Sequence, residues 1–518
     1  MMHDFTPSVY QSKIFKHIKK SKSSLVINAV AGSGKSTTII KAVELVPKDK
    51  KILFCAFNKH IAVELQKRLP SHVKVQTLNG LGHGAWCRTA DGPVRLNPHK
   101  NRDIFKSSDI QESFTLGALQ KLNTTIIQLV RIGKVFGIVP DDVADEYDAD
   151  GILEDTDQNW FDLMNHFDIS FEGSLEQQLN DKLLAIKAAR MCLGISLDMW
   201  NEIDFDDQLY MPVVYGSRFF KYDYVFVDEA QDVSTIQTIM LRSALKRPYG
   251  KLIAVGDRKQ AIMGFRGSDV KSVDNIKKKF KAEELPLSIC YRCGKNIVNE
   301  AKQLVPEIEH HESAVDGQVI NAGTITPELI KQINNDDLVI CRNTAPLITT
   351  AFMFLKCDKP CFVLGRDIGK GVINLIKKMK VENVVDLRIK LSDWFKSEIK
   401  VAMETDNLGA IQRLEDRYTC ANLFIEKSGS STVQGVIQCI ETLFGDRSNK
   451  GVMLSTIHKA KGLEANVVYF LDSYLIPSKY AVQDWQKEQE NNAKYVGITR
   501  AKEKLVYIKS VMKPRKLY

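Results

Sequence analysis

The chain has 518 residues, 44% of them hydrophobic and 26% charged, enough to bury several cores and, by length, to form about three or four domains. No apolar run approaches the ~20 residues of a membrane span. The opening MMHDFTPSVYQSK has no apolar stretch behind a basic cluster, and the ten cysteines lack a framework spacing, so a secretory signal, a membrane protein and a disulfide-stapled domain are set aside in favour of an intracellular location. That location is cytoplasmic, with the nucleoid or, for a viral source, the host cytoplasm as the setting. The formal net charge of +9 fits a nucleic-acid partner but does not require one.

The first apolar run, SLVINAV (24–30), leads straight into AVAGSGKST (29–37) and then a helical pattern. A short run rich in Val and Ile reads as a buried strand. Strand, glycine-rich turn and helix in that order form the setting of a phosphate-binding loop. Gly32 and Gly34 let the backbone turn so that its N–H groups face phosphate oxygens, and the helix start beyond favours the same negative charge. Lys35 would reach the β- and γ-phosphates of a nucleotide and Ser36 would ligate Mg²⁺. Ala29, Val30, Ala31, Ser33 and Thr37 complete the loop, with Ala29 standing where such loops usually have their first glycine.

KILFCAF (51–57) and VKVQTL (73–78) read as the next strands. Residues 85–205 then change character and are mostly helical, as in LGALQKLNTTIIQLVRIGKVF (116–136), which reads as an insertion. Inside it, EYDADGILEDTD (146–157) carries acids at alternating positions before Gly151, as a calcium loop does. Glu146 opens it and the short Asp157 closes it, so a solvated acidic loop is the better reading. IDFDDQLY (203–210) reads as a helix start. Strands return with YVFVDEA (224–230) and KLIAVGD (251–257). The first delivers Asp228 to a strand end, where it can hold Mg²⁺ through water, and sets Glu229 beside it to position and deprotonate an attacking water.

A second set of runs follows: DLVICRN (337–343), KPCFVLG (359–365), ANVVYFLD (465–472) and KLVYIKS (504–510), interrupted by a charged helical stretch from about 373 to 450. Apolar strands alternating with helices, twice over, predict an α/β fold with two parallel sheets. The expected domains are 1–84 with 206–278, an insertion 85–205, then 279–372 with 451–518, and a small insertion 373–450.

Further segments appear in a fixed order. AFNKHIAVEL (56–65), DEAQD (228–232), VGDRKQAIMGFRGS (255–268), SICYRCGKNI (288–297), STIHKAKGLEANVVYFLD (455–472) and KYVGITRAKEKL (494–505) resemble motifs Ia, II, III, IV, V and VI of the UvrD/Rep branch of helicase superfamily 1. The resemblance covers most of both α/β regions and neither insertion. It implies two RecA-like P-loop NTPase domains that hydrolyse ATP with Mg²⁺, move 3′ to 5′ along single-stranded DNA and unwind tailed duplex DNA. On the nucleotide side it gives Gln11 the adenine edge, although the lead-in FTPSVYQ is spaced differently from the common form. Tyr291 takes the adenine face, Gln260 senses the γ-phosphate, and Arg292 and Arg500 approach that phosphate from the second domain, with Glu464 nearby. On the DNA path it places Phe57, Asn58, Lys59, Thr77, Asn79 and His458, with Phe265 stacking on a base. A tyrosine face suits a flat apolar base, and arginine supplies a permanent planar cation for a transferring phosphoryl group.

The chain also departs from that family. Asn79 in TLNGLG (77–82) replaces a histidine, and QENNAK (489–494) replaces an acid- and arginine-rich run. Both insertions are shorter than usual, so unwinding is expected to be weak or to need an accessory replication or repair protein. No nuclease motif follows motif VI, and a nuclease activity would belong to a separate protein. Cys290 with Cys293, and Cys357 with Cys361, have spacings seen in zinc and iron–sulfur sites, but small buried thiols are the preferred reading. A DNA-binding scaffold that uses its ATPase only as a switch is the main competing function. A nucleotide kinase is disfavoured by the two arginines and the second sheet.

Overall fold

Strands of a parallel sheet are covered on both faces and need apolar side chains pointing both ways. The apolar runs do form two six-stranded sheets, every pairing in them parallel. The computed structural model describes residues 5–511 apart from 57, 115, 142–143, 145–150, 168, 170, 172–173, 263–271, 405–407 and 445–450. The expected sites Phe57 and Phe265, and much of the acidic loop beginning at Glu146, thus lie outside the described residues. Two compact units are present. The first contains the residues up to Ala29 and Gly34–Leu287; the second contains Val30–Ser33 and the residues from Ser288 onward.

The first sheet is built from β1 (Leu25–Ala29), β2 (Ile52–Ala56), β3 (Lys74–Thr77), β4 (Tyr224–Val227), β5 (Lys251–Gly256) and β6 (Glu283–Leu287), in the order β3-β2-β4-β5-β1-β6. Alternate residues serve opposite faces, as the pleat requires. Leu25, Ile27, Phe54, Phe226 and Ile253 enter one core, and Val26, Leu53, Val225, Val227 and Leu252 enter the other. β6 carries Glu283, Glu284 and Pro286, a composition that suits an edge strand. Its pairing with β1 extends this sheet past the expected boundary at 278. The carboxyl ends of β1, β4 and β5 are neighbours, which is where open α/β sheets bind ligands.

Between β3 and β4 the chain makes a helical layer. The helices Leu116–Phe136 and Leu175–Asp198 enclose a core of their own around Ile126, Leu129, Trp160 and Leu193. The layer is tied to the helix Asp207–Val214 by an ionic cluster with almost no solvent access. Lys100 Nζ lies 2.9 Å from Asp207, and Lys134 Nζ lies 2.8 Å from Asp207 and 3.0 Å from Asp204. Two positive and two negative charges cancel. The ammonium groups also donate to the Ser196 carbonyl and the Asn101 amide oxygen, each at 2.8 Å. Burial of these charges is tolerable because they are paired and hydrogen-bonded.

The second sheet comprises β7 (Gln318–Thr324), β8 (Leu338–Cys341), β9 (Cys361–Leu364), β10 (Val452–Thr456), β11 (Ala465–Leu471) and β12 (Ala501–Lys509), in the order β7-β12-β11-β8-β10-β9. The helices Val384–Glu404, Leu408–Lys427 and Val433–Leu443 fill the gap between β9 and β10. Their Leu387, Phe424 and Ile440 share one core with Val339 and Leu454 of the sheet. Among the described residues no helix is long and apolar enough to cross a membrane.

Removing one partner of a buried ion pair leaves an uncompensated charge. Asp207→Ala, which leaves Lys100 without a carboxylate and Lys134 with Asp204 alone, is expected to lower the unfolding free energy by about 3–5 kcal/mol. Denaturant titration checks this; a loss within the error of the wild-type curve would mean that water reaches the cluster.

Candidate nucleotide and nucleic-acid sites

The turn after β1 takes its shape from two glycines. Gly32 has φ 67° and Gly34 has φ 76°, a left-handed conformation that glycine adopts without steric cost. Gly34 opens the helix Lys35–Glu44, which no side chain caps among the described residues, and such a helix start favours negative charge. Among the described residues the buried Ser33 hydroxyl has no hydrogen-bond partner. Gln11 sits in the helix Val9–Lys20 and reaches the same helix start, donating to Thr38 Oγ1 at 3.0 Å. Its other amide end accepts from Ser8 in a capping box.

Asp228 follows β4. Glu229 follows in turn with φ 52° and ψ 45°, a backbone state that costs a non-glycine residue energy and tends to occur at functional sites. Lys35 Nζ stands 3.5 Å from Glu229. Asp228 is buried, hydrogen-bonds the Ser36 hydroxyl, and is pushed by burial and then by the Glu229 charge from 3.8 to about 6, against the pull of Lys35. Two carboxylates and a hydroxyl around one ammonium form an oxygen-rich, cation-seeking pocket, so Ser36 and Asp228 fit Mg²⁺.

A chain of hydrogen bonds leads away from this pair. Gln231 donates to Glu229; Asp257 N–H donates to Gln231 Oε1 at 3.0 Å; Gln260 donates to Asp257 at 2.7 Å. Burial raises the Asp257 carboxyl, partly opposed by Lys35. The contact needs Gly256: a Cβ there would fall 2.8 Å from Gln231 Oε1 and 2.9 Å from its backbone nitrogen.

A cleft of ≈ 1200 Å³ in the first unit brings Asn58, Lys59, Thr77 and Asn79 together with Asp228 and Glu229. Asn58 caps the helix Lys59–Arg68 by accepting from Ile61 N–H at 2.9 Å, and Thr77 caps Leu78–Trp86 by accepting from Gly80 N–H at 3.0 Å. Two helix N-termini therefore open into one groove. Asn79 donates to the Phe205 carbonyl at 2.8 Å and to Gln208 at 3.1 Å, so its amide positions its neighbours. The Phe205 ring is 54% exposed, and Arg131 and Phe136 from the insertion complete that wall.

In the second unit, Tyr291 and Arg292 lie in the turn after Ile289–Cys290. Tyr291 is 44% exposed, with its ring centroid 4.8 Å from that of His311. Glu464 bridges Arg292 and Lys502, at 2.7 Å from each. Arg500 is buried and donates to the carbonyls of Val496 at 2.9 Å and Leu463 at 3.0 Å; Arg292 donates to the Thr499 carbonyl at 3.3 Å. Burial, with the charges of Arg342 and Lys461, pushes His458 down to about 3, leaving a neutral imidazole.

Residues 10–281 match the family model of the UvrD/REP helicase N-terminal domain, and residues 327–511 match that of the UvrD-like helicase C-terminal domain. The chain belongs to the UvrD/REP helicase family. It is 25% identical over 533 residues to F-box DNA helicase protein 1 of Schizosaccharomyces pombe, covering 94% of this chain and 56% of that protein. It is 22% identical over 404 residues to ATP-dependent DNA helicase PcrA of Staphylococcus epidermidis, covering 56% and 55%. A shorter stretch of 85 residues is 35% identical to DNA helicase II of Haemophilus influenzae, covering 16% and 12%. The chain thus spans about half the length of the first and second of these relatives.

Membership in the UvrD/REP family identifies the two sheets as RecA-like domains. Within that frame three features escaped the motif reading: Gln231, Asp257 and Phe205. Gln231 and Asp257 stand inside quoted motifs, but only the fold joins them. Phe205 lies in IDFDDQLY, where an aromatic flanked by acids at a helix start was the available signal.

The acidic pair has a consequence for pH. The folded protein holds the Asp228 proton up to about 6 and the unfolded chain only to about 3.8. The stability that this carboxyl contributes is present below the lower value and is lost as pH rises through the upper one. In ligand-free protein, Asp228→Asn is expected to raise the thermal midpoint at pH 8 and to leave it nearly unchanged at pH 4. Melting curves at the two pH values decide; a lowered midpoint at pH 8 would make the carboxylate a net stabiliser.

Proposed function

We propose that the chain is an ATP-dependent DNA helicase that moves along single-stranded DNA from 3′ to 5′ and opens tailed duplexes. The observation that carries this reading is the cleft of the first unit, in which the acidic pair expected at ATP shares one groove with Asn58 and Lys59 of motif Ia, with Thr77 and Asn79, and with Phe205. The names of the relatives, F-box DNA helicase protein 1 and ATP-dependent DNA helicase PcrA, support it.

In this reading Lys35 and the helix start hold the β- and γ-phosphates, Glu229 takes a proton from the attacking water, and Arg292 and Arg500 offset charge on the transferring phosphoryl group. Bound Mg²⁺, held by Ser36 and Asp228, supplies positive charge to the phosphates. The chain Glu229–Gln231–Asp257–Gln260 gives motif III a direct mechanical link to the attacking-water site. In the groove, capped helix N-termini and Lys59 hold phosphates while Phe205 stacks on a base, so binding falls with salt and varies little with sequence. An accessory replication or repair protein is the proposed partner for strong unwinding.

Lys35→Ala is expected to abolish DNA-stimulated ATP hydrolysis in a fold that melts normally. The two arginines should separate. Arg292→Ala should cut turnover by at least ~10²-fold with stability intact, within the range arginine fingers control. Arg500→Ala should cut turnover and also lower the melting midpoint, because it strips partners from buried carbonyls. Equal melting midpoints for the two variants would contradict that division. Direction is read with tailed duplexes: a 3′ tail should permit unwinding and a 5′ tail should not, and the reverse result would reject the assigned polarity.

A further inference from the structure

Every strand of the first sheet runs the same way, so the connections that enter the strands share one end of the sheet. The acidic pair and the groove lie at the other end. The entry end is basic. Lys48 precedes β2, Arg247 precedes β5, Lys22 precedes β1 and Lys281 precedes β6, with Lys278 and Lys279 in the last turn of the helix Ser272–Phe280 just before it. All six are exposed, and none has an ion pair or a side-chain hydrogen bond among the described residues.

The acids at this end are already engaged. Asp49 pairs with Lys50 at 2.9 Å, Asp223 with Lys246 at 2.8 Å and Glu44 with Lys41 at 2.9 Å. Glu283 accepts from the hydroxyls of Ser21 and Ser23 and lies 3.4 Å from His17. Short contacts also tie the entries into one surface. Lys251 donates to the Ser21 carbonyl, Glu283 N–H donates to the Ser24 carbonyl at 2.9 Å, and Lys246 N–H donates to the Tyr222 carbonyl at 2.9 Å. Neighbouring strands are ~4.8 Å apart, so the row from the entry of β2 to that of β6 is about 19 Å long.

Two large rings stand in this row. Tyr249 is 86% exposed, in the turn before β5 that the Gly250 N–H closes onto the Lys246 carbonyl at 2.7 Å. Phe220, on the approach to β4, is 62% exposed, and the Arg88 guanidinium lies 4.1 Å from its ring centroid. Cations without counter-charges call for a polyanion. Open aromatic rings among them call for one whose own flat faces are free.

We propose that the entry end of the first sheet is a second binding surface for single-stranded nucleic acid, with the lysines on phosphates and Tyr249 and Phe220 against bases. A duplex would offer the phosphates but keep its base faces stacked, whereas an unpaired strand offers both. The strand held here is distinct from the one proposed for the groove. The six residues of β5 separate the two ends by about 20 Å, and packed core fills the space on both faces of the sheet between them.

The test counts bound strands. A thymidine oligomer of about ten nucleotides, within the ~4–16 that single-strand sites cover, is titrated against the full chain. The wild type should bind two equivalents. The variant Tyr249→Ala/Lys278→Ala/Lys279→Ala/Lys281→Ala should bind one and melt normally; Lys22→Ala/Arg247→Ala serves if it does not fold, and should weaken the same equivalent. The groove variant Lys59→Ala/Phe205→Ala should bind one as well, at the entry end. On that background, irradiating a bromodeoxyuridine oligomer should crosslink the peptide that contains Tyr249. Restoring only Tyr249 in the fourfold variant should leave the salt slope of this site lowered by about 2, the share of three phosphate contacts on a single strand. A single equivalent that the fourfold variant keeps would overturn the proposal. A single equivalent that it loses would uphold this surface and reject the groove reading instead. Two equivalents kept, with loss only of binding to phosphatidylserine–phosphatidylcholine vesicles, would assign the surface to a membrane and also overturn the proposal.

Discussion

Two carboxylates at the end of one strand, one buried and the other half-buried beside one ammonium, cannot both carry full charge cheaply. Asp228 and Glu229 are in that position, and much of the first unit is arranged around them. The parallel sheet delivers them one strand away from the end of β1, across β5, and Lys35 and Ser36 reach them from the turn after β1. Gln231 holds the Glu229 carboxylate, and Gly256 leaves room for Gln231. The excess negative charge is not a defect of packing. On the proposed reading it would favour a divalent cation and the phosphates that accompany one.

The insertion obeys a different constraint. It must grow out of the sheet between β3 and β4 and still present a defined wall to the groove. The four-charge cluster of Lys100, Lys134, Asp204 and Asp207 does this by joining two insertion helices, and through the Ser196 carbonyl a third, to the start of Asp207–Val214. Phe205 lies between two of those aspartates, so a fully buried polar cluster fixes an exposed ring. Asn79 secures the same segment from the sheet side.

How much of this was legible in the sequence depends on locality. β1, β2, β4, β5, β8 and β11 were visible because their Val, Ile and Phe runs are continuous. β6 and β7 were not: EELPL carries acids and a proline, and QVINAGT lies mostly exposed at an edge, so neither has the pattern of a covered strand. β10 was hidden by brevity, its apolar content being Val452, Met453 and Leu454. The phosphate loop and the acidic pair were legible because each is contiguous. The Gln231–Asp257–Gln260 chain joins two segments and needs the fold to bring them together. Lys100 and Lys134 read as solvated lysines in any sequence, and only the structure reveals them as core residues.

The two capped helices of the groove bear on how such a surface persists over time. Asn58 and Thr77 spend their side-chain oxygens on their own helices, so on the proposed reading a phosphate there would meet largely peptide N–H. Peptide groups are not encoded: apart from proline, a codon change leaves them in place. A surface built this way can drift widely in sequence while keeping the same peptide donors, and the 22–25% identity to relatives over long alignments is compatible with such drift.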